Sequence, residues 1–139
     1  MRIMAVDLGL ARTGLALSDL SGSLASPIGV LNERDEQRLL ERVAAAAREH
    51  EATEVVVGHP RNMDGTRGES AQRAEAFVER LSALIEAPVC LWDERMTTVS
   101  AIGYLNTTNV RGAKRKQVVD AVAATIILQD YLDSKRLRG

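Results

Sequence analysis

Three acidic residues occupy positions where an α/β protein could use them for chemistry. Asp7 ends an apolar stretch, "RIMAVD", and Glu94 follows another, "VCLW", one residue after it ends. Asp120 begins a stripe at helical spacing that is otherwise apolar, with Ala124, Ile127, Leu128 and Tyr131 on the same helix face. Because the carboxyl ends of parallel strands meet at one edge of a sheet, acids placed there are expected to converge.

Carboxylates that converge must either share a proton or hold a cation. Two unit charges about 4 Å apart repel by roughly 4 kcal/mol at the effective dielectric of a protein surface. Oxygen ligands without histidine or paired cysteine favour a hard ion such as Mg²⁺ or Mn²⁺. Such ions bridge to phosphates, and a pair of them can assist hydrolysis of a phosphodiester. The sequence therefore predicts metal-dependent phosphodiester chemistry.

Simpler interpretations of the three acids stay open at this point. Asp7 and Glu94 could each be an ordinary turn residue at the end of a strand. Asp120 could pair with Lys116 one helical turn earlier, which contributes only about 0.2–0.5 kcal/mol. The position of Asp120 on a core-facing stripe favours the functional interpretation.

The elements that must position these acids alternate in a regular order. The sequence predicts strands over residues 2–7, 13–19, 26–31, 54–58 and 89–92, and helices over residues 35–49, 69–86, 97–105 and 115–132. Three strands joined by short connections indicate an antiparallel meander, and strands separated by helices indicate parallel addition. The predicted fold is α/β, a mixed five-stranded sheet with helices on its faces.

Length and composition indicate one globular domain over residues 1–139. Apolar residues make up 45% of the chain and charged residues 27%, an ordinary globular composition. No run approaches the roughly 18 apolar residues of a membrane helix, and Asp7 interrupts the only apolar segment near the N-terminus. The single cysteine, Cys90, cannot form an internal disulfide. We expect a cytoplasmic protein that does not bind membranes.

The charge distribution suggests where a polyanion would bind. The net charge is −1, yet seven Lys/Arg and three Asp/Glu follow position 110. Within "RGAKRK" the cations are Arg111, Lys114, Arg115 and Lys116. Such a run is either a solvated face or a contact for phosphates. Arg12 and Arg95 lie beside the proposed acids and are further candidates for phosphate contact.

Four motifs together resemble the YqgF family, also called RuvX. They are "DLGLARTGLALSD" at 7–19, "VVVGHPRNMDGTRGESAQRAEAFVERL" at 55–81, "DERMTT" at 93–98 and "KQVVDAVAATIILQDYLD" at 116–133. The motifs occur in the family's order and cover nearly the whole chain. One departure is His59, where family members more often carry an apolar residue between the glycine and the proline.

The resemblance implies a ribonuclease H-like fold and a metal-binding trio formed by Asp7, Glu94 and Asp120. It also implies a nuclease that processes the 5′ end of the 16S ribosomal RNA precursor with Mg²⁺ or Mn²⁺. The alternative within the family is a Holliday junction resolvase acting on branched DNA. Structured RNA, or branched DNA, is the expected partner, and the chain is expected to be a monomer or a homodimer.

Two functions from other classes remain. "DLGLARTG" resembles the phosphate loop of actin-like kinases and ATPases, but those proteins close two lobes around a nucleotide and this chain has length for one. An inactive ribonuclease H-like scaffold that binds RNA is the other, and retention of all three acids weighs against it. His59 is interpreted as a tolerated substitution, and Trp92 as a core residue.

Overall fold

The computed structural model describes residues 1–60, 66–94 and 112–138 of the 139-residue chain, and gives only the backbone for residues 112–121 and 136–138. The strands are β1 (Ile3–Asp7), β2 (Arg12–Ser18), β3 (Ala25–Asn32), β4 (Glu54–His59) and β5 (Val89–Asp93). The helices are α1 (Glu36–Glu49), α2 (Glu69–Ser82) and α3 (Gly112–Arg138).

The strands form one mixed sheet in the order β3-β2-β1-β4-β5. The β1–β2 and β2–β3 pairs are antiparallel, whereas β4 runs parallel to both β1 and β5. The predicted α/β fold, with a meander followed by parallel addition, is therefore confirmed. Because β1, β4 and β5 run in one direction, their carboxyl ends share one edge of the sheet.

Both faces of the sheet are covered, as the apolar pattern of its central strand requires. Met4 and Val6 of β1 face a core shared with α1 and α2. Ile3 and Ala5 face a second core, which α3 completes with Ala124, Ile127, Leu128 and Leu132. Strand alternation places Asp7 on the same face as Ile3 and Ala5, which is the α3 face.

Local hydrogen bonds determine where α1 begins and where α2 ends. Asp35 caps α1 by accepting a hydrogen bond from the backbone N–H of Arg38 at 2.8 Å. Helix α2 ends at Ser82, four residues before the predicted end. The N–H groups of Leu84 and Ile85 both bond back to the Leu81 carbonyl, which closes the turn there. No helix among the described residues is both long and apolar enough to cross a membrane.

Helix α3 begins at Gly112, so Lys114, Arg115 and Lys116 lie in its first turns and not in a preceding loop. Lysine, arginine and glutamine are good helix formers, which explains the earlier start. Three predicted features lie outside the described residues. They are the helix over residues 97–105 and the proposed contacts Arg95 and Arg111.

Candidate functional site

The candidate site lies at the carboxyl edge of β1, β4 and β5. Asp7 is the last residue of β1, and Glu94 directly follows the last residue of β5. The strand between them, β4, pairs Val57 with Val6 and Gly58 with Trp92. Gly58 therefore occupies the position between the two acids, one strand away from each.

Gly58 leaves the space through which Glu94 reaches Asp7. A Cβ atom built on Gly58 would lie 2.7 Å from Cδ and 2.9 Å from Oε2 of Glu94. It would also lie 2.9 Å from Cδ1 of Ile127 in α3. Real Cβ atoms essentially never approach that closely, so any other residue at position 58 would displace the Glu94 carboxyl, Ile127 or both. A glycine inside a β-branched strand is the sequence signal for such a close approach.

Glu94 and Asp7 meet as carboxyl groups, with a hydrogen bond between them. Burial raises the pKa of the Glu94 carboxyl above its ordinary value; the hydrogen bond with Asp7 and the charge of His59 lower this pKa, and the charge of Asp93 raises it. Two carboxyl groups can make such a bond when one of them keeps its proton. A cation held between them is the other way to satisfy both groups.

The third predicted acid lies on the helix that covers this face. Asp120 is seven residues before Ile127 in α3, and its side chain is outside the described residues. The described part of its helical stripe is buried as predicted, with Ala124, Ile127 and Leu128 fully inaccessible to solvent. Among the described side chains, no cluster of three His, Cys, Asp or Glu residues could hold a metal ion.

A pocket of about 390 Å³ opens beside Glu94. It is lined by the β1–β2 turn, the end of β4 and the first turns of α2, with Leu8, Gly9, Leu10, Gly58, Pro60, Glu69, Ser70, Arg73, Ala74 and Glu94 in its wall. Sequence reasoning missed the α2 residues. Arg73 lies four residues before Phe77 and next to Ala74. A cation on the apolar stripe of α2 was therefore the sequence signal that could have identified Arg73 as a site residue.

His59 belongs to a network on the other face of β4. Its Nε2 lies 2.7 Å from Oε2 of Glu75 in α2, and Arg67 donates to the other oxygen of the same carboxylate at 2.7 Å. The hydrogen bond from His59 is the main reason that the pKa of Glu75 is lowered, and Arg67 lowers this pKa further. Structurally, His59 joins β4 to α2.

Trp92 packs against α3, as a core residue would. Its ring makes an edge-to-face contact with Tyr131, with ring centroids 5.6 Å apart.

Arg12 is the first residue of β2, and strand alternation places it on the α3 face with Ala16. Of the six proposed phosphate contacts, Arg12 is the one whose side chain falls within the described residues.

The order and direction of the strands, with helices on both faces, define a class of fold, the ribonuclease H-like fold that solved RuvC structures share. RuvC of Thermus thermophilus superposes with a TM-score of 0.62 at 13% identity, over 98% of this chain and 96% of that one. The same protein in complex with a Holliday junction substrate gives a TM-score of 0.61 at 15% identity, with the same coverage. The resolvase of fowlpox virus, bound to Holliday junction DNA, gives 0.54 at 12% identity, over 97% of this chain and 99% of that one.

Within this class the chain belongs to the RuvX family, whose sequence model, described as "Holliday junction resolvase", matches residues 1–134. A relative from Thermoanaerobacter pseudethanolicus is 42% identical over 137 residues, which is 98% of this chain and 99% of the relative. One from Halalkalibacterium halodurans is 39% identical over 140 residues, at 99% and 100%. Both carry the name "Putative pre-16S rRNA nuclease". Family membership makes the protein a nuclease, and the resemblance seen in the four motifs is confirmed.

Proposed function

We propose that the protein is a divalent-cation-dependent nuclease that trims the 5′ end of the 16S ribosomal RNA precursor. The observation that supports this most directly is the meeting of Asp7 and Glu94 across Gly58 at the carboxyl edge of the sheet. The names of the full-length relatives supply the substrate class.

The donor set fits Mg²⁺ or Mn²⁺. Asp7 and Glu94 would hold the ion, and Asp120 of α3 would complete the trio. Both described groups are carboxyl groups, whose oxygens these ions prefer as ligands. When bound, the ion would supply activation of a water and stabilisation of charge on the phosphate.

The residues of the chain itself position the Glu94 carboxyl and the substrate. The hydrogen-bonded carboxyl pair fixes the orientation of Glu94, and Gly58 admits it without displacement. Arg73, which is paired with Glu36, lies in the wall of the pocket beside Glu94. Arg12, Arg95 and the cations at 111–116 would bind backbone phosphates, which positions a strand without reading its sequence.

A second candidate function is resolution of branched DNA, favoured by the description of the family whose model matches the chain. The two are separated by offering purified protein a precursor 16S RNA fragment and a four-way DNA junction at equal concentration with Mg²⁺. Cleavage of the RNA alone supports the proposal. Symmetric cleavage of the junction alone, by a dimer, would replace it.

The metal site is tested with Asp7→Asn and Glu94→Gln. We expect each variant to lose at least about 100-fold in cleavage rate and to bind Mn²⁺ more weakly in a direct titration. Without metal, the melting temperature should stay level or rise, because the substitution removes the cost of placing two carboxyl groups together.

The matched control is Glu79→Gln on the exposed side of α2, which makes the same chemical change away from the site. It should cleave RNA and bind Mn²⁺ like the unmodified chain. Near-normal turnover in Asp7→Asn, or unchanged Mn²⁺ affinity in both site variants, would show that these carboxylates do not hold the ion.

A further inference from the structure

Leu10 is the most exposed large apolar residue among those the structure describes. Its side chain is 86% exposed, and it lies at the tip of the turn between β1 and β2. The turn follows Asp7 directly, and Leu10 lines the mouth of the pocket beside Glu94. An exposed leucine side chain gives up about 1.5–3 kcal/mol of the hydrophobic free energy that its burial would contribute. A bound substrate that covers Leu10 would recover part of it.

The tip that carries Leu10 is held on both sides. The Gly9 carbonyl accepts a hydrogen bond from Nη1 of Arg73 at 2.8 Å, and the Ala11 carbonyl accepts one from the backbone N–H of Glu33 at 3.0 Å. Arg73 is itself fixed by Glu36, whose carboxylate oxygens lie 2.9 and 3.3 Å from its nitrogens.

The second residue of the tip packs closely against the backbone of β2. A Cβ on Gly9 would lie 2.1 Å from the carbonyl oxygen of Arg12, so only glycine fits there. Held by its two hydrogen bonds, the tip presents an apolar side chain to solvent. A preorganised apolar group loses little entropy when a ligand covers it.

We infer that Leu10 packs against the face of a base next to the scissile phosphate, so that the enzyme selects RNA whose bases are unstacked there. This inference rests on the proposed function. Phosphate contacts cannot report the state of the bases, whereas an apolar side chain can insert between them. In a continuous A-form duplex the base faces are covered, and in unpaired segments they are accessible.

The test compares one RNA strand in its unpaired form and annealed to its complement. We expect the unmodified protein to prefer the unpaired strand. Leu10→Ser should raise KM for it about five- to tenfold, leave kcat within about twofold, and remove the preference. Leu10→Met, which keeps an apolar side chain of similar volume, should restore both KM and the preference.

Leu20→Ser is the matched control, because Leu20 is 66% exposed and lies in the turn between β2 and β3, at the opposite end of the sheet. It should behave like the unmodified protein. A KM equal in Leu10→Ser and Leu20→Ser, or a duplex preference in the unmodified protein, would overturn the inference.

A second measurement keeps the inference separate from the proposed function. Affinity for both RNA forms is measured by fluorescence anisotropy in excess chelator, where no cleavage is needed. Weaker binding of the unpaired strand by Leu10→Ser alone supports the role of Leu10, and equal binding overturns it. Failure of the unmodified protein to cut any RNA with Mg²⁺ or Mn²⁺ would overturn the proposed function, and the affinities would still decide the role of Leu10.

Discussion

At the scale of single residues, the site depends on the lack of a side chain at Gly58 as much as on the two acids. Glu94 follows an edge strand and must cross β4 to meet Asp7. Gly58 is the residue it crosses, and both the Glu94 carboxyl and Ile127 of α3 occupy the volume that a side chain would fill. The same absence thus admits the acid and lets α3 lie close to the sheet.

Gly58→Ala should therefore lower both cleavage activity and stability. The added methyl group would have to displace either the Glu94 carboxyl or Ile127, so we expect cleavage to fall by at least tenfold. Overpacking of this kind costs about 1–3 kcal/mol of unfolding free energy. Cleavage assays and denaturant unfolding measure the two effects.

Gly68→Ala provides the control, because a Cβ there meets no atom within 4 Å and Gly68 is also outside the left-handed region of backbone conformation. It should leave cleavage unchanged and lower the unfolding free energy only through the weaker N-cap of α2. Equal activity of the two alanine variants would show that the position of the Glu94 carboxyl does not limit cleavage.

The placement of Asp7 and Glu94 at one edge of the sheet could be predicted from the sequence, because strand ends are visible as breaks in apolar runs. The partner of Gly58 could not, because a glycine indicates that something approaches it without indicating which residue. The interactions of Arg73 with Gly9 and Glu36 were also hidden, since they join three elements far apart in the chain.

At the scale of elements, α3 is held at the end of the sheet opposite the site. The Tyr131 hydroxyl donates a hydrogen bond to Glu54 at the start of β4, and Lys135 donates to the other carboxylate oxygen at 2.8 Å. Burial, together with this bond, raises the pKa of Tyr131. Burial likewise raises the pKa of the Cys90 thiol, 3.6 Å from the Tyr131 oxygen, so Cys90 stays protonated at neutral pH.

Tyr131→Phe should lower the unfolding free energy by about 1–2 kcal/mol, because it removes one hydrogen bond to a carboxylate and keeps the ring against Trp92. We expect kcat to change less than twofold, since this contact lies at the opposite end of the strands. A cycle with Glu54→Gln isolates the pair. Additive effects of the two substitutions would mean that the bond contributes nothing to docking α3.

Element order and direction were predictable from the sequence, because the spacing of apolar residues and the length of connections determine them. The ends of the helices were less predictable from the sequence. Ser82 ends α2 through backbone hydrogen bonds to Leu81 that leave no mark in residue type. Pro88, the visible stop signal, acts several residues later.

At the scale of the whole molecule, charge is divided along the chain. Counting Lys/Arg against Asp/Glu, residues 1–110 carry −5 and residues 111–139 carry +4. The cations at 114–116 lie in the first turns of α3, the helix that also carries Asp120.

Replacing Lys114 and Arg115 with alanine should weaken RNA binding and spare turnover at saturation. If both residues contact phosphates, the slope of log affinity against log salt should flatten by about one to two units, because fewer counterions are released. The measurement is RNA affinity across a salt titration.

Arg136→Ala combined with Arg138→Ala is the control, since it removes the same charge from the other end of α3, about 30 Å away. Its salt slope should match the unmodified protein. Identical slopes for both double variants would mean that residues 114 and 115 are a solvated face and that other cations bind the RNA.

The strand order of the sheet also determines when the site comes into existence. The β1–β3 meander contains only neighbouring contacts, but Asp7 meets Glu94 only after β4 and β5 have added beyond β1. Contacts between residues so far apart in the chain form late in folding. Closing a long loop costs conformational entropy before the new contacts stabilise the fold. A nascent chain on the ribosome therefore carries no assembled carboxyl pair until its fifth strand and Glu94 have emerged.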